Sequence, residues 1–261
     1  MSAVRPPVRR PTVLMYHGFT GAEPVNDPYD LHVPATALAA QLALLRSCRW
    51  TPLDLDGYLA ALDGGRVPRR SYLVTVDDAL RSVLDHGAPV LRQAGVPSVL
   101  FVPAGLVGGT TTWLPRSPGV PLLDADGLRA VQDLGVEVGV HGWDHARMAG
   151  MDDAQLRRST VEAREALADL TGRAPRAFAY PYGDLDERAV AAVARAGFDV
   201  GFSVYRDAGR HALSRTDVKP ADSLTALRVK LAAGPRYRVA WRALGHAGPV
   251  RGRVRAAAQR R

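Results

Sequence analysis

Short β-branched and apolar runs that alternate with helix-length stretches set the strongest limit on what this chain can fold into. Strands are expected at Thr12–Tyr16, Tyr72–Val76, Ser98–Val102, Val136–Val140, Ala177–Tyr180 and Asp199–Val204. Helices are expected at Thr36–Ser47, Leu80–Ala94, Asp124–Leu134, Asp153–Leu170 and Leu185–Ala196. Asp152 or Asp153 caps the fourth helix, which ends before Gly172, and Asp184 caps the fifth, which stops at Gly197. This alternation is the pattern of βα units and of a parallel sheet or barrel. Two aperiodic stretches rich in Gly, Pro, Asp and Thr, residues 18–34 and 103–121, read as long loops: functional rims or lids, or disordered insertions.

With 261 residues and 47% hydrophobic content, one sizeable core suffices. The net charge of +8 points to an anionic partner until its distribution is examined. After Asp222 there is no acid, while Arg228, Lys230, Arg236, Arg238, Arg242, Arg251, Arg253, Arg255, Arg260 and Arg261 are ten cations. Taking ten from +8 leaves a body of −2, so the main domain is not a phosphate-tracking one and nucleic acid is an unlikely partner. The single cysteine, Cys48, rules out an intrachain disulfide, so stability does not depend on an oxidising compartment. Neither a signal-peptide core nor a run of about 18 apolar residues is found. The expected location is cytoplasmic, with peripheral contact at the inner face of a membrane as an extension of that expectation. Residues 224–244 mix Leu, Val, Trp241 and Arg at spacing compatible with a basic amphipathic helix on anionic lipid; a solvated basic tail is the equal alternative.

Chemistry-bearing residues collect at strand ends. The run Tyr72–Val76 ends in Asp77-Asp78, where one carboxylate can hold a metal while the other accepts a proton from water; alone, such a pair is more often a turn or cap. The run Val136–Val140 ends in His141-Gly-Trp-Asp-His145, whose imidazoles converge if the chain coils after the strand. A carboxylate and two histidines make a three-ligand site with room for water and substrate; the same set also suits iron. Phe178–Gly183 is either a tight connection or a turn that presents the Tyr182 amide to a developing oxyanion. His17 ends the first strand, where it is structural or reaches the same rim. Trp113, Trp143 and Tyr182 either stack on sugar faces or pack.

Together these residues, in this order, resemble the polysaccharide deacetylase family, the NodB-homology domain of carbohydrate esterase family four, over about residues 12–218. Thr75-Val76-Asp77-Asp78-Ala79 is similar to its Thr-Phe-Asp-Asp-Gly motif, His141–His145 to its His-(Ser/Thr)-x-x-His motif and Pro181-Tyr182 to its Pro-Tyr turn. The resemblance implies a distorted, incomplete (β/α) barrel, Asp77 as general base and Asp78, His141 and His145 as ligands of a divalent metal, zinc first. It also implies the Tyr182 amide in an oxyanion hole; Pro181, Trp143 and Trp113 are the candidate substrate contacts. Three motif positions depart from the pattern: Val76, Ala79 and Gly142. If position 79 needs a positive φ, alanine carries roughly 1 kcal/mol of strain. Ala179 stands where the family has an arginine that orients the base, and Arg215 is the substitute on offer. No late Leu-x-Leu-x-His motif is present, and the chain looks most like the exopolysaccharide or poly-N-acetylglucosamine deacetylase branch, in which the acid histidine precedes the Asp-Asp motif. By that resemblance His17 is the general acid.

The implied organisation is a basic extension over residues 1–11, a catalytic domain over 12–222 and a basic tail over 223–261. The implied reaction is hydrolysis of the acetamide of an N-acetylated amino sugar in a polysaccharide, oligosaccharide or lipid-linked glycan. A glycan-binding module that has lost the reaction and a metal-dependent O-acetyl esterase are the alternatives.

Overall fold

Along the chain, β1 (Thr12–Tyr16), β2 (Gly18–Thr20) and β3 (His32–Pro34) precede α1 (Ala35–Ser47), β4 (Thr51–Pro52) and α2 (Leu55–Leu62). The alternation follows: β5 (Ser71–Val76), α3 (Ala88–Ala94), β6 (Ser98–Val102), α4 (Ala125–Asp133) and β7 (Val136–Val140). Next come α5 (Asp153–Arg157), α6 (Ala163–Thr171), β8 (Ala177–Ala179), α7 (Glu187–Arg195), β9 (Val200–Phe202), β10 (Thr216–Asp217) and α8 (Leu224–Ala233). The structure is a computed structural model and describes residues 10–21 and 27–233.

The main sheet runs β10-β1-β5-β6-β7-β8-β9, with β4 added beside the start of β5, and every pairing is parallel. Parallel strands must be covered on both faces, and the period-two alternation of side chains divides their residues between two cores. Val13, Leu73, Val99, Phe101, Ala177, Ala179, Val200 and Phe202 face inward, where Leu55, Tyr58 and Leu59 of α2 join them. Leu14, Val74, Val76, Leu100, Val102, Val138, Val140 and Phe178 face the helices, packing with Leu38, Leu42, Leu91, Leu128 and Val193 among others. Arg176, which precedes β8, ion-pairs with Asp56 at 2.7 Å and so ties α2 to the end where the strands begin. Residues 213–217 link the two sheet edges: Leu213 pairs with Phe202 of β9, while Thr216 pairs with Leu14 of β1. One isolated bridge and a two-residue strand make a thin seam, so the barrel is distorted, as the family resemblance implies.

Several expected boundaries are corrected. The helix expected from Leu80 does not start there, because Asp78 and Ala79 have φ of 74° and 54° and Leu80 pairs antiparallel with Leu122. A π-helical turn, Val83–Gly87, leads instead into α3. The fifth helix is capped by Asp186, which accepts from Ala189 N at 2.8 Å; Asp184 instead pairs with Arg147 at 3.5 Å. Residues 18–34 are not all loop, since β2 and β3 pair in parallel. Within 103–121, a 3₁₀ turn spans Ala104–Leu106 and Thr110 bridges to Pro121.

The tail boundary also moves. Helix α8, placed in the tail by the charge count, buries Ala226, Leu227 and Leu231 and packs against α1. Lys230 is buried as well, donating to the Asp217 carbonyl at 2.8 Å and pairing with Asp222 at 2.5 Å. An apolar face already covered by the domain is not available to a lipid surface, so the expected membrane-bound helix is not supported over residues 224–233. The rest of that expected helix, residues 234–244, lies outside the described residues, as do residues 1–9. Among the described residues no helix is long and apolar enough to cross a membrane.

Candidate active site

Strand parity delivers the chemistry to one place. Leu73, Thr75 and Asp77 alternate on the inward side of β5, as Val13, Met15 and His17 do on β1. The ladder continues past Val76, with Asp77 N donating to Tyr16 O at 2.9 Å, so Asp77 and His17 stand at the same level. The left-handed residues Asp78 and Ala79 then reverse the chain. That turn carries the Asp78 carboxylate back over the barrel instead of outward, where strand alternation would have sent it. The positive φ at Ala79 meets the condition under which alanine is strained there.

At the end of β7, His141 N donates to Val102 O at 2.8 Å, and its Nδ1 lies 2.7 Å from Ala179 O. That carbonyl selects the Nδ1–H tautomer and leaves the Nε2 lone pair facing Asp78, the usual way a ligating histidine is oriented. Gly142, with φ of 74°, and His145, with φ of 61°, coil the chain so that both rings reach the same point. Asp78 Oδ1 lies 3.1 Å from Nε2 of His145 and 3.5 Å from Nε2 of His141. All three side chains are buried and their ligand atoms lie within 4.8 Å of one another. Among the described residues Asp78 Oδ1 nonetheless finds no hydrogen-bond donor. A buried carboxylate oxygen left orphaned between two imidazole nitrogens is costly unless a cation takes it up. One carboxylate and two imidazoles therefore fit a divalent metal, zinc among them.

Beside this cluster, Asp77 is gripped from within the barrel. Arg215 Nη1 and Nη2 donate to its two carboxylate oxygens at 2.7 and 2.8 Å. Arg215 also donates to Ser203 O at 3.0 Å and to Thr75 Oγ1 at 3.2 Å, and its guanidinium lies 5.5 Å from the Phe101 ring centre. Burial pushes the Asp77 carboxyl up, but the Arg215 guanidinium, with His141 and His17, pulls it down further, below the usual carboxylate range. Burial pushes the His17 imidazole down, against the upward pull of Asp78 and Asp77.

His17, Asp77, Asp78, His141 and His145 line a cavity of about 210 Å³, walled by Tyr29, Leu31, Trp113, Leu114, Tyr182 and Val204. Tyr182 has φ of 59°, and the hydrogen bonds of its turn run from Gly183 N to Tyr180 O and from Asp184 N to Pro181 O, leaving the Tyr182 amide out. A larger cavity of about 1080 Å³ opens where β1 and β5 begin and contains none of these groups.

Of the residues expected from the sequence, Asp77, Asp78, His141, His145, His17, Tyr182 and Trp113 meet around the cavity, with Arg215 behind Asp77. Trp143 and Pro181 do not line it. Trp143 packs its ring over Gly105, where any β-carbon would collide with it, and carries Arg158 on its face at 4.8 Å. Pro181 is buried beside Gly142. Tyr29, Leu31, Leu114 and Val204 were not anticipated, because loop path places them there. Thr75 and Ser203, which share Arg215, were also missed; for Thr75 the signal was present, a hydroxyl on the same alternation as Asp77.

The model of the family described as polysaccharide deacetylase matches residues 64–201. The poly-β-1,6-N-acetyl-D-glucosamine N-deacetylase of Staphylococcus epidermidis is 23% identical over 214 residues, covering 75% of this chain and 72% of the relative. Its namesake in Staphylococcus aureus is 20% identical over 181 residues, covering 66% of this chain and 61% of the relative. Among solved structures, IcaB from Ammonifex degensii superposes with a TM-score of 0.69 at 25% identity, covering 86% of this chain and 96% of that one. The Streptococcus pyogenes deacetylase PplD, solved with acetate, shares the fold with a TM-score of 0.71 at 18% identity over 84% and 96% of the two chains. Asp77, Asp78, His141, His145 and Tyr182 fall within the matched residues, whereas His17 and Arg215 lie outside them and are brought in by the fold. With more than half its length matched by the family model, this chain belongs to the polysaccharide deacetylase family, hydrolases that cleave amide carbon–nitrogen bonds of glycans.

Proposed function

We propose that this chain removes acetyl groups from N-acetylated amino sugars of a glycan, by attack of water on the acetamide carbonyl. The observation that carries the reading is the juxtaposition of the Asp78–His141–His145 cluster with a second carboxylate, Asp77, held by Arg215 at the same cavity. Both staphylococcal relatives are named for poly-β-1,6-N-acetyl-D-glucosamine, and that polymer is the substrate class we extend to this chain.

Asp78, His141 and His145 would hold a divalent ion, zinc by donor type, which when bound supplies Lewis-acid polarisation of the carbonyl and acidifies water. Asp77 takes the proton from the attacking water. Arg215 uses one lone pair on each Asp77 oxygen, which keeps the carboxylate in one orientation with its remaining lone pairs free. The Tyr182 amide donates to the oxyanion that forms as water adds to the carbonyl carbon. His17, level with Asp77 on the neighbouring strand, protonates the sugar nitrogen as the carbon–nitrogen bond breaks, and acetate leaves. Burial favours the neutral imidazole, so the charged form of His17 relies on the neighbouring Asp77 and Asp78. A module that only bound glycan would have no use for a fixed carboxylate beside a ligand cluster.

The test is acetate release from β-1,6-linked N-acetylglucosamine oligomers by wild type, Asp77→Asn and Asp78→Ala, with zinc binding measured on each. Asp77→Asn should bind zinc normally and turn over at least about 100-fold more slowly, while Asp78→Ala should lose the metal. An Asp77→Asn protein with the wild-type rate would remove Asp77 from the reaction.

A further inference from the structure

The two histidines of the cluster are held by different means. His141 has the arrangement ordinary for a ligating histidine, its Nδ1 tied to the Ala179 carbonyl at 2.7 Å. His145 lacks it. Its Nδ1 is buried and finds no hydrogen-bond partner among the described residues. Its ring is instead packed among aromatic rings. Trp113 lies flat against it, centroids 4.1 Å apart and planes 15° from parallel. Tyr182 meets it edge-on at 4.7 Å and His141 at 4.9 Å.

Trp113 is itself firmly placed, which a purely substrate-facing ring on a long loop need not be. Thr111, buried, accepts from Gly119 N at 3.2 Å and donates its amide to Val120 O at 2.9 Å, while its hydroxyl accepts from Val120 N at 3.1 Å. Farther along, Leu122 N donates to Gly109 O and Leu123 N to Ala79 O, both at 2.9 Å. The loop that carries Trp113 is thus tied to the turn that carries Asp78. At its tip, Arg116 N donates to Tyr29 Oη at 2.9 Å, which joins it to the facing loop.

We propose that Trp113 is a positioning residue for the metal ligand His145, its stacked indole doing for that imidazole what the Ala179 carbonyl does for His141. A flat ring contact fixes the plane of the imidazole, and the edge contacts with Tyr182 and His141 limit rotation within it. One face of Trp113 is consequently occupied, so any sugar contact uses the other face or the ring edge. The inference rests on the metal reading of the Asp78–His141–His145 cluster.

The experiment is titration of zinc into metal-stripped wild type, Trp113→Ala and Trp113→Phe by calorimetry, with kcat and KM measured on the zinc-loaded proteins. Trp113→Ala should bind zinc at least about tenfold more weakly, on the scale of losing a group that orients a ligand. Trp113→Phe, which keeps a flat ring, should stay within about threefold of wild type. Equal zinc affinity in all three proteins, with only KM raised in Trp113→Ala, would make Trp113 a substrate wall and overturn the proposal while leaving the metal site standing. Failure of folded wild type to bind zinc would overturn the metal reading and this inference with it.

Discussion

Replacing Arg215 with methionine should destabilise the fold far more than an ordinary substitution, and the structure sets the amount. The Arg215 and Asp77 side chains are 0% and 4% exposed, so water cannot screen the charge that remains when its partner goes. Removing one member of such a buried pair costs about 3–5 kcal/mol. The Ser203 carbonyl also loses its donor, adding about 1 kcal/mol. Thr75 is spared, since its hydroxyl still donates to Leu14 O at 2.8 Å. The expected total is about 4–6 kcal/mol, a large part of the 5–15 kcal/mol that a domain typically possesses. Asp77→Leu combined with Arg215→Met should recover at least about 2 kcal/mol of the summed single losses, because no charge is then left unpaired. The assay is urea unfolding of the four proteins of this cycle with chelator present, followed by tryptophan fluorescence. An acid series adds a second check. The folded-state pKa of Asp77 lies below the ordinary 3.8, so the stability contributed by the pair is full above 3.8 and is lost as pH falls through the folded value. In Arg215→Met the upward push of burial is no longer opposed by the guanidinium, so the gap between wild type and variant should narrow on acidification. A single-variant cost under about 1 kcal/mol, or additive losses in the cycle, would refute the claim that these two charges hold one another.

Other outcomes follow from other parts of the chain. Ala79→Gly relieves a left-handed alanine worth about 1 kcal/mol but loses a buried methyl worth about 0.8 kcal/mol, so stability should move by less than about 0.5 kcal/mol; a change above about 2 kcal/mol would contradict that balance. Burial raises the Asp27 carboxyl, but its bonds to His32, including His32 N to Oδ2 at 2.7 Å, bring it to about 2. The stability difference between wild type and Asp27→Asn should therefore be full well above pH 3.8, shrink as pH falls below 3.8 and be lost as pH falls through about 2 in thermal melts; a gap undiminished at pH 2 would exclude the linkage. Ending the chain at Asp222 removes buried Leu227 and Leu231, at about 1.5–3 kcal/mol each, so the urea midpoint should fall sharply; an unchanged midpoint would restore α8 to the tail.

The strands and the groups at their ends were legible in the chain itself, because both depend on local chemistry. Branched residues in an alternating run favour extended backbone, and a parallel barrel gathers whatever follows such runs at one rim. Asp77, Asp78, His141, His145 and His17 could be singled out on that basis, together with motif resemblance. Short elements escaped. Two-residue β4 and β10 have no periodicity to detect, and α2 is defined by what it plugs more than by its own pattern.

What only the tertiary structure decided are the contacts whose two halves are far apart in sequence. Arg215 reaches Asp77 across 138 positions, and no local pattern distinguishes it from the other arginines. The same holds for Trp113 and Trp143. Both stand in glycine-containing loops, yet one lies flat on His145 and the other under Arg158, because the hydrogen-bonded path of residues 103–123 sets the outcome. The charge count after Asp222 correctly found a basic segment but could not see that its first helix has a partner, since burial of Leu227 and Lys230 depends on α1 and β10 arriving beside it. Local sequence determined which groups stand at the strand ends, through side-chain alternation that acts within a few residues. Tertiary packing determined which of them touch, because strand order and loop path emerge only when the whole sheet closes.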